Sequence, residues 1–385
     1  MSIAVPERRR SEGARSGASR EPTVEHGGSS DGSGPSGTRQ YREIGSLTTE
    51  SGVVLPAVTM AYESWGRLNA AGDNAVLVLH ALTGDAHVIG PTGPGQPTPG
   101  WWEGLIGPGA PLDPERYFVL AANVLGGCRG STGPSTIAPD GRAYGSRFPA
   151  VTVRDQVHAE AALARSLGIT CFAAVIGGSM GGMRALEWPL LYPDMVARSV
   201  PIATTAAATA DQIAWCAPQL AAIRLDPEFR GGDYYPGRGP LAGMAVARQI
   251  AHATYRSAYE LAVRFGRERQ PGTDNQFAVE SYLAYHGRKL GARFDPNSYL
   301  VLTESMNSHD IGRGRGGVAA ALSRITARLT VAAVDSDRLY TVADSEVIAG
   351  APTAGDLIVM RSDHGHDGFL IEAGQVADVV RHALR

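Results

Sequence analysis

The sequence Val175-Ile176-Gly177-Gly178-Ser179-Met180-Gly181-Gly182 decides the fold. An apolar run over 172–176 leads into the pattern Gly-x-Ser-x-Gly, and a helix-prone segment, 183–191, follows directly. This order of strand, sharp turn and helix is typical of a nucleophile elbow, in which both flanking glycines leave room for the neighbouring backbone. The helix dipole at such a turn favours developing negative charge. We therefore predict that Ser179 is a catalytic nucleophile.

A serine nucleophile needs a base and a group that orients the base, and two later segments offer both. A strand-like run over 329–334 ends in Asp335-Ser336-Asp337, and a second run over 357–360 leads to His364-Gly365-His366. The chain order of serine, aspartate and histidine is the one that accompanies this kind of elbow. The residues themselves leave two alternatives open, because either aspartate and either histidine could serve.

An oxyanion formed at Ser179 needs backbone donors, and one is expected in the loop after an early strand. The apolar run over 75–79 is followed by His80-Ala81-Leu82-Thr83-Gly84-Asp85. We predict that the backbone N–H groups of Met180 and Leu82 form the oxyanion hole. The side chain of His80 is expected to be structural, with its ring hydrogen-bonded to loop backbone.

The order of predicted elements indicates an α/β fold with an insertion. Strands and helices alternate along most of the chain, which is typical of a mostly parallel sheet with helices on both faces. The alternation stops over 206–325, where helices are predicted one after another at 210–223, 241–254, 258–265, 277–290 and 298–305. We therefore predict two core segments, 39–205 and 326–385, on either side of a helical insertion at 206–325.

The first 38 residues differ in composition from the rest. They contain eight Ser, seven Gly and no Phe, Tyr or Trp. Such a segment cannot bury enough apolar surface to offset the entropy of ordering the chain. We predict that 1–38 is a disordered tail.

Composition excludes several classes of protein. The 385-residue chain has a net charge of −3, which gives no electrostatic footprint for nucleic acid or an anionic membrane. No apolar run approaches the length needed to span a bilayer, and the residues after Arg8-Arg9-Arg10 are too polar for a secretory signal. The three separated cysteines fit a reducing compartment, and His364-x-His366 lacks the further ligands of a metal site. We expect a cytoplasmic protein without a bound metal.

In combination, the motifs resemble those of the homoserine O-acetyltransferase family of the α/β-hydrolase superfamily, from about residue 41 to the C-terminus. The resemblance is carried by the nucleophile elbow and by His80-Ala81-Leu82-Thr83-Gly84-Asp85, Gly100-Trp101-Trp102, Gly231-Gly232-Asp233-Tyr234, Ala247-Arg248, Arg293-Phe294-Asp295, Asn307-Ser308-His309-Asp310, Ser336-Asp337-Arg338-Leu339 and Gly365-His366-Asp367-Gly368-Phe369-Leu370. It implies the α/β-hydrolase fold, with the insertion at 206–325 forming a helical lid and contributing to a homodimer.

The resemblance also implies roles for individual residues. Asp337 and His366 fall on the family's catalytic positions, which resolves both alternatives in their favour. Arg248 and Asp367 fall on the positions that hold the acceptor. Thr341 departs from the family, which usually has a proline there, and we expect it to loosen the Asp337 loop without removing a catalytic group.

The activity implied by the resemblance is transfer of an acetyl group from acetyl-CoA, as co-substrate, to L-homoserine in methionine biosynthesis. The transfer would pass through an acyl-serine intermediate without a tightly bound cofactor. Homoserine O-succinyltransferase and serine O-acyltransferase are close alternatives. A serine esterase is a more distant one, because it would use the same catalytic triad without needing the acceptor residues.

Overall fold

A nine-stranded sheet organises the described part of the chain, residues 37–273 and 275–385 of a computed structural model. Its strands run in the spatial order β1-β4-β6-β5-β7-β8-β10-β11, with β9 paired to β8, while β2 and β3 form a separate hairpin. The strands are β1 (Gln40–Glu43), β2 (Leu47–Thr48), β3 (Val54–Leu55), β4 (Thr59–Trp65), β5 (Ala75–Leu79), β6 (Phe118–Ala122), β7 (Phe172–Gly178), β8 (Arg198–Ile202), β9 (Arg328–Leu329), β10 (Ala332–Val334) and β11 (Ile358–Met360). The predicted tail lies outside the described residues, apart from its last two.

The sheet is mostly parallel, as predicted. All pairings among β5 to β11 are parallel, whereas β4 pairs antiparallel with both β1 and β6. Parallel neighbours need crossover connections, which helices supply. The helices are α1 (Val153–Ser166), α2 (Met180–Leu191), α3 (Ala210–Leu225), α4 (Leu241–Tyr255), α5 (Ala258–Phe265), α6 (Ala278–Gly291), α7 (Pro296–Asn307), α8 (Val318–Leu322), α9 (Val342–Ala349), α10 (Gly368–Ile371) and α11 (Ala373–Ala383). In the part of the chain that the structure describes, no helix has the length and apolar character needed to cross a bilayer.

Side chains from the two faces of the sheet enter two separate cores. Along β5, Leu77 and Leu79 pack in a core with Trp188 of α2, whereas Val76 and Val78 pack in another with residues of α11 such as Val380. This alternation follows from the two-residue repeat of a strand. Full burial of each such side chain contributes about 1.5–3 kcal/mol. The sheet is thus covered on both faces, as predicted.

Six helices, α3 to α8, lie between β8 and β9, and the described residues there contribute no strand to the sheet. A third apolar cluster joins this insertion to the elbow, because Leu82 and Met180 pack in it with Leu220, Met244 and Tyr299. The helical insertion (206–325) therefore rests on the segments that carry the predicted nucleophile and oxyanion donors. Its boundaries stay predictions.

The expectation for Thr341 was wrong. Its side chain caps α9, accepting a hydrogen bond from the backbone N–H of Asp344, and the Asp344 carboxylate accepts from the backbone N–H of Thr341. This reciprocal capping box satisfies two donors that a helix start otherwise leaves unpaired. Thr341 thus fixes the start of α9 directly after the Asp337 loop and does not loosen it.

Candidate active site

Ser179 occupies the sharp turn between β7 and α2. Its backbone has φ 56° and ψ −124°, a conformation that is costly for any residue with a side chain. The turn is held by two hydrogen bonds: the Ser179 N–H donates to the Ile202 carbonyl at 3.0 Å, and the Ser179 carbonyl accepts from Thr204 Oγ1 at 2.8 Å. The surrounding backbone thus keeps the serine in a strained position at the end of the strand.

The two glycines of the Gly-x-Ser-x-Gly pattern are required by close approach. A Cβ atom on Gly177 would lie 2.3 Å from the carbonyl of Gly181, and one on Gly181 would lie 2.1 Å from the Leu79 carbonyl oxygen. Neither distance can be accommodated without moving backbone. The elbow therefore forms for the steric reason that the sequence indicated.

Three predicted side chains meet in a buried hydrogen-bonded chain. His366 Nε2 lies 2.9 Å from Ser179 Oγ, and His366 Nδ1 lies 2.6 Å from Asp337 Oδ2. The other carboxylate oxygen of Asp337 accepts from the backbone N–H groups of Leu339 and Tyr340, at 2.8 and 2.9 Å. With the carboxylate accepting from Nδ1–H, the Nε2 atom is free to accept the serine proton.

The competing pair lies apart from this chain. Asp335 is exposed and accepts a hydrogen bond from a loop N–H at 3.0 Å. His364 lies with its Nδ1 atom 3.4 Å from Glu260 Oε1. The structure brings Asp337 and His366 together with Ser179, and leaves Asp335 and His364 out. The catalytic roles themselves stay predictions.

The pKa of His366 reflects opposing effects. Burial lowers it, but the charge of Asp337 and the hydrogen bond to its carboxylate, with a smaller contribution from the charge of Asp367, raise it by more. The net pKa lies above the usual value of 6.5, so the folded protein favours the imidazolium form over a wider pH range.

This shift predicts the pH dependence of Ser179 acylation. His366 accepts a proton only when neutral, so acylation is expected to increase with pH along an acid limb whose midpoint lies above 6.5. Asp337→Asn is expected to move this limb to lower pH, because the stabilising charge is lost. Burst rates with p-nitrophenyl acetate, measured from about pH 5 to about pH 9, check both points. An acid limb centred at or below 6.5 in the unmodified protein would contradict the assignment.

The predicted oxyanion donors are both available. Met180 is the first residue of α2, and Leu82 lies in the loop that follows β5. Among the described residues, neither backbone N–H donates a hydrogen bond to a protein acceptor. An oxyanion hole requires backbone donors of this kind, which are not already bonded to a protein acceptor. The assignment of Leu82 and Met180 to this role stays a prediction.

His80 is structural, as expected. Its Nδ1 atom lies 2.8 Å from the Ala81 carbonyl oxygen, and its Nε2 atom accepts from the Val124 N–H at 3.1 Å. Burial, together with the charge of Arg184, lowers the pKa of His80 to about 3. The ring is therefore neutral at physiological pH and holds loop backbone on both sides.

Arg248 faces the site without a partner of its own. Its guanidinium carbon lies 5.2 Å from the centre of the Tyr255 ring, and it forms no ion pair or hydrogen bond within the described residues. Its charge acts on the carboxyl group of Asp367, whose pKa is raised by burial and lowered in part by Arg256 and Arg248. Tyr255 in turn lies 5.7 Å, ring to ring, from His366, so Arg248 provides a positive charge on the side of the site where Tyr255 and Asp367 lie.

Asp367 has a partner that sequence reasoning missed. Its Oδ2 atom lies 3.1 Å from Arg256 Nη2, and Arg256 Nη1 lies 3.1 Å from Glu260 Oε1. No local pattern links Arg256, at the end of α4, to an aspartate more than a hundred residues later. The ion pair fixes the direction of the Asp367 carboxylate, which follows His366 in the chain.

Comparison with known proteins gives the family. The family model of the α/β hydrolase fold matches residues 74–373. A homoserine O-acetyltransferase from Thermobifida fusca (strain YX) is 59% identical over 358 residues, which cover 91% of this chain and 94% of that protein. The chain belongs to the homoserine O-acetyltransferase family. The predictions of family and fold are confirmed.

Solved structures show that this fold carries more than one described activity. Esterase E22 has a TM-score of 0.83 and 26% identity, over 90% of this chain and 100% of its own. The homoserine O-acetyltransferase from Staphylococcus aureus has a TM-score of 0.73 and 28% identity, over 90% of this chain and 95% of its own. Similarity of fold therefore does not distinguish a hydrolase from an acyltransferase. The residues that could bind an acceptor are needed to choose between these two activities.

Proposed function

We propose that the protein is a homoserine O-acetyltransferase, which moves an acetyl group from acetyl-CoA to the hydroxyl of L-homoserine in methionine biosynthesis. The observation that carries this proposal is the hydrogen-bonded Ser179–His366–Asp337 chain. Tyr255 links it to Arg248, because the Tyr255 ring lies 5.7 Å from the His366 ring and 5.2 Å from the Arg248 guanidinium carbon, and Arg248 has no ion pair among the described residues. The 59% identity to the Thermobifida fusca relative supports an acetyl donor and a homoserine acceptor over the succinyl and serine alternatives.

The first half-reaction loads the enzyme. His366 Nε2 takes the hydroxyl proton of Ser179 while Oγ attacks the thioester carbonyl, and the resulting oxyanion accepts hydrogen bonds from the Leu82 and Met180 N–H groups. Asp337 stabilises the imidazolium. The carbon–sulfur bond then breaks, the sulfur takes the proton from His366, and CoA leaves with its thiol restored. Ser179 now carries an acetyl ester.

The second half-reaction unloads the acetyl group. The homoserine hydroxyl gives its proton to His366 and attacks the ester carbonyl, forming a second oxyanion in the same place. The bond between the carbonyl carbon and Ser179 Oγ breaks, and the serine recovers the proton. Arg248 binds the carboxylate of the acceptor and Asp367 its ammonium group, which places the hydroxyl near the ester. An arginine fork matches a carboxylate with two parallel hydrogen bonds.

The enzyme must favour homoserine over water, which is smaller and far more concentrated. A positioned hydroxyl reacts as if at very high local concentration, and the helical insertion covers the site and limits water. Acetyl-CoA enters as a co-substrate and CoA leaves, so the chemistry uses no tightly bound cofactor. We place the reaction in the cytoplasm, because the three separated, free cysteines fit a reducing compartment.

A matrix of donors and acceptors tests the proposed function. The protein is mixed with acetyl-CoA or succinyl-CoA, together with L-homoserine, L-serine or no acceptor, and the free thiol of CoA is followed. We expect the fastest release with acetyl-CoA and L-homoserine, and slow release without an acceptor. Equally fast release with no acceptor would make the protein a hydrolase, and preference for another donor or acceptor would select one of the close alternatives.

Replacing Arg248 with alanine separates acceptor binding from acyl chemistry. We expect acetylation of Ser179 by acetyl-CoA to stay largely intact, because Arg248 forms no bond to the catalytic chain. Transfer to homoserine should fall by about 10- to 150-fold in efficiency, which corresponds to a lost charge-assisted contact of roughly 1.5–3 kcal/mol. Rapid-quench measurement of the two half-reactions gives both values.

The matched control for this variant is Arg288→Ala, which removes an exposed arginine of α6 in the same insertion. It should leave both half-reactions unchanged. If Arg248→Ala slows acetylation as much as transfer, Arg248 serves the donor or the fold of the insertion, and the acceptor site lies elsewhere.

We also propose that two copies associate through the helical insertion. Its surface carries several large apolar side chains that are at least 46% exposed, namely Val246, Tyr259, Val263 and Tyr285. Exposed apolar side chains of this size, where they form a continuous patch, are typical of a protein interface. Sedimentation of Val263→Glu should show a shift from dimer to monomer, and an unmodified protein that sediments as a monomer would contradict the proposal.

A further inference from the structure

The Leu82 N–H, one of the two proposed oxyanion donors, belongs to the peptide between Ala81 and Leu82, and hydrogen bonds to the Ala81 carbonyl hold this peptide. The Ala81 carbonyl accepts from His80 Nδ1–H at 2.8 Å and from the Gly84 N–H at 2.9 Å. In a trans peptide the C=O and N–H bonds point in opposite directions. The two hydrogen bonds on the Ala81 oxygen therefore set the direction of the Leu82 N–H.

Two arginines hold the carbonyls on either side of this peptide. Arg184, from α2, donates to the His80 carbonyl and is ion-paired with the buried Glu160. Arg293, from the helical insertion, donates through Nη1 to the Thr83 carbonyl at 2.8 Å. The oxyanion loop, His80 to Thr83, is thus held by the core at one end and by the insertion at the other.

Arg293 is partly buried, and the charges around it on balance destabilise its own positive charge. Its side chain forms no ion pair of 4 Å or less within the described residues. Burial and the charges of Arg248 and Arg129 lower its pKa to about 10, although the Asp85 carboxylate acts in the opposite direction. Arg129 adds to this local positive charge while donating to the Arg293 backbone carbonyl. A partly buried cation whose pKa is lowered on balance costs stability, and such costs are typical of functional sites. Within the part of the chain that the structure describes, the one hydrogen bond that its guanidinium makes is to the oxyanion loop.

We propose that Arg293 is a positioning residue, which holds the Thr83 carbonyl from the helical insertion and so keeps the Leu82 N–H directed at the oxyanion. This inference rests on the proposed function, acyl transfer through Ser179. Because both half-reactions form an oxyanion in the same place, Arg293 acts on both, whereas Arg248 acts on the acceptor step. The position of the helical insertion then determines whether the Leu82 N–H can donate to the oxyanion.

The test uses p-nitrophenyl acetate, which acetylates a serine without CoA or homoserine, and the variants Arg293→Ala and Arg288→Ala. In Arg293→Ala we expect the rate constants for acetylation and for transfer to homoserine to fall by a similar factor, about 10- to 100-fold, with KM little changed. This is less than the 10²–10³-fold loss that follows complete removal of an oxyanion donor, because the N–H is displaced but present. Arg288→Ala should match the unmodified protein.

Two further measurements separate positioning from loss of folding. A methyl trifluoromethyl ketone forms an oxyanion on addition of Ser179, so its affinity should weaken in Arg293→Ala by the same factor as acetylation. Arg293→Lys, which keeps one donor, should recover part of both. An Arg293→Ala burst at the unmodified rate, or a slower burst with unchanged inhibitor affinity, overturns the inference. The absence of a burst in the unmodified protein would instead overturn the proposed function.

Discussion

Replacement of Ser179 by alanine is expected to abolish acetyl-enzyme formation and to reduce turnover by on the order of 10⁶. The covalent route loses its nucleophile, and no other hydroxyl in the described residues is hydrogen-bonded to His366 Nε2. Intact mass after treatment with acetyl-CoA should show one added acetyl group on the unmodified protein and none on the variant.

Ser179→Gly provides a control for folding. Because glycine adopts positive φ without steric cost, this variant relieves the strain at φ 56° and should be at least as stable as the unmodified protein while remaining inactive. Peptide mapping of the acetylated protein completes the test. An acetyl group on any residue other than Ser179 would contradict the assignment.

Replacement of Asp337 by asparagine is expected to reduce turnover by on the order of 10⁴. The amide can hold the ring but does not stabilise the imidazolium, and it favours the wrong tautomer of His366. Asp335→Asn is the matched control, since Asp335 lies two residues away, is exposed and binds only loop backbone. Steady-state turnover of acetyl-CoA and homoserine gives both values.

The two histidines form a second matched pair. His366→Ala should lose far more activity than His364→Ala, because His364 lies beside Glu260 and makes no contact with Ser179. Similar losses in either pair, at positions 335 and 337 or at 364 and 366, would mean that the hydrogen-bonded chain does not identify the catalytic groups.

Local patterns were sufficient for several elements of the fold, although the single strand predicted over 329–334 is divided into β9 and β10, and α9 was not predicted. The helix predicted at 258–265 matches α5, and the one predicted at 210–223 ends only two residues before α3 does. Both begin at a serine or threonine whose side chain accepts from the third helical N–H, Ser257 and Thr209, so the start is encoded within a few residues. The elbow was only partly local, because Gly177 is required by a contact within the turn, whereas Gly181 is required by the close approach of the Leu79 carbonyl from β5.

The parts of the site that sequence did not predict are long-range pairings. Arg256 forms an ion pair with Asp367, and Arg293 donates to the Thr83 carbonyl; in each case the partners are more than a hundred residues apart. Neither arginine lies in a sequence pattern that indicates its partner. The choice between Asp335 and Asp337 was also beyond local reasoning without the family resemblance. Both follow the same strand, and only the folded turn places the Leu339 and Tyr340 N–H groups around one of them.

The most direct test of the central claim follows the fate of the acetyl-enzyme. Protein labelled with radioactive acetyl-CoA is freed of excess donor and mixed with buffer alone or with L-homoserine. We predict that the label leaves Ser179 slowly as acetate in buffer, and rapidly as O-acetylhomoserine when the acceptor is present. Release of acetate at the same rate in both mixtures would contradict the account and make this protein a hydrolase.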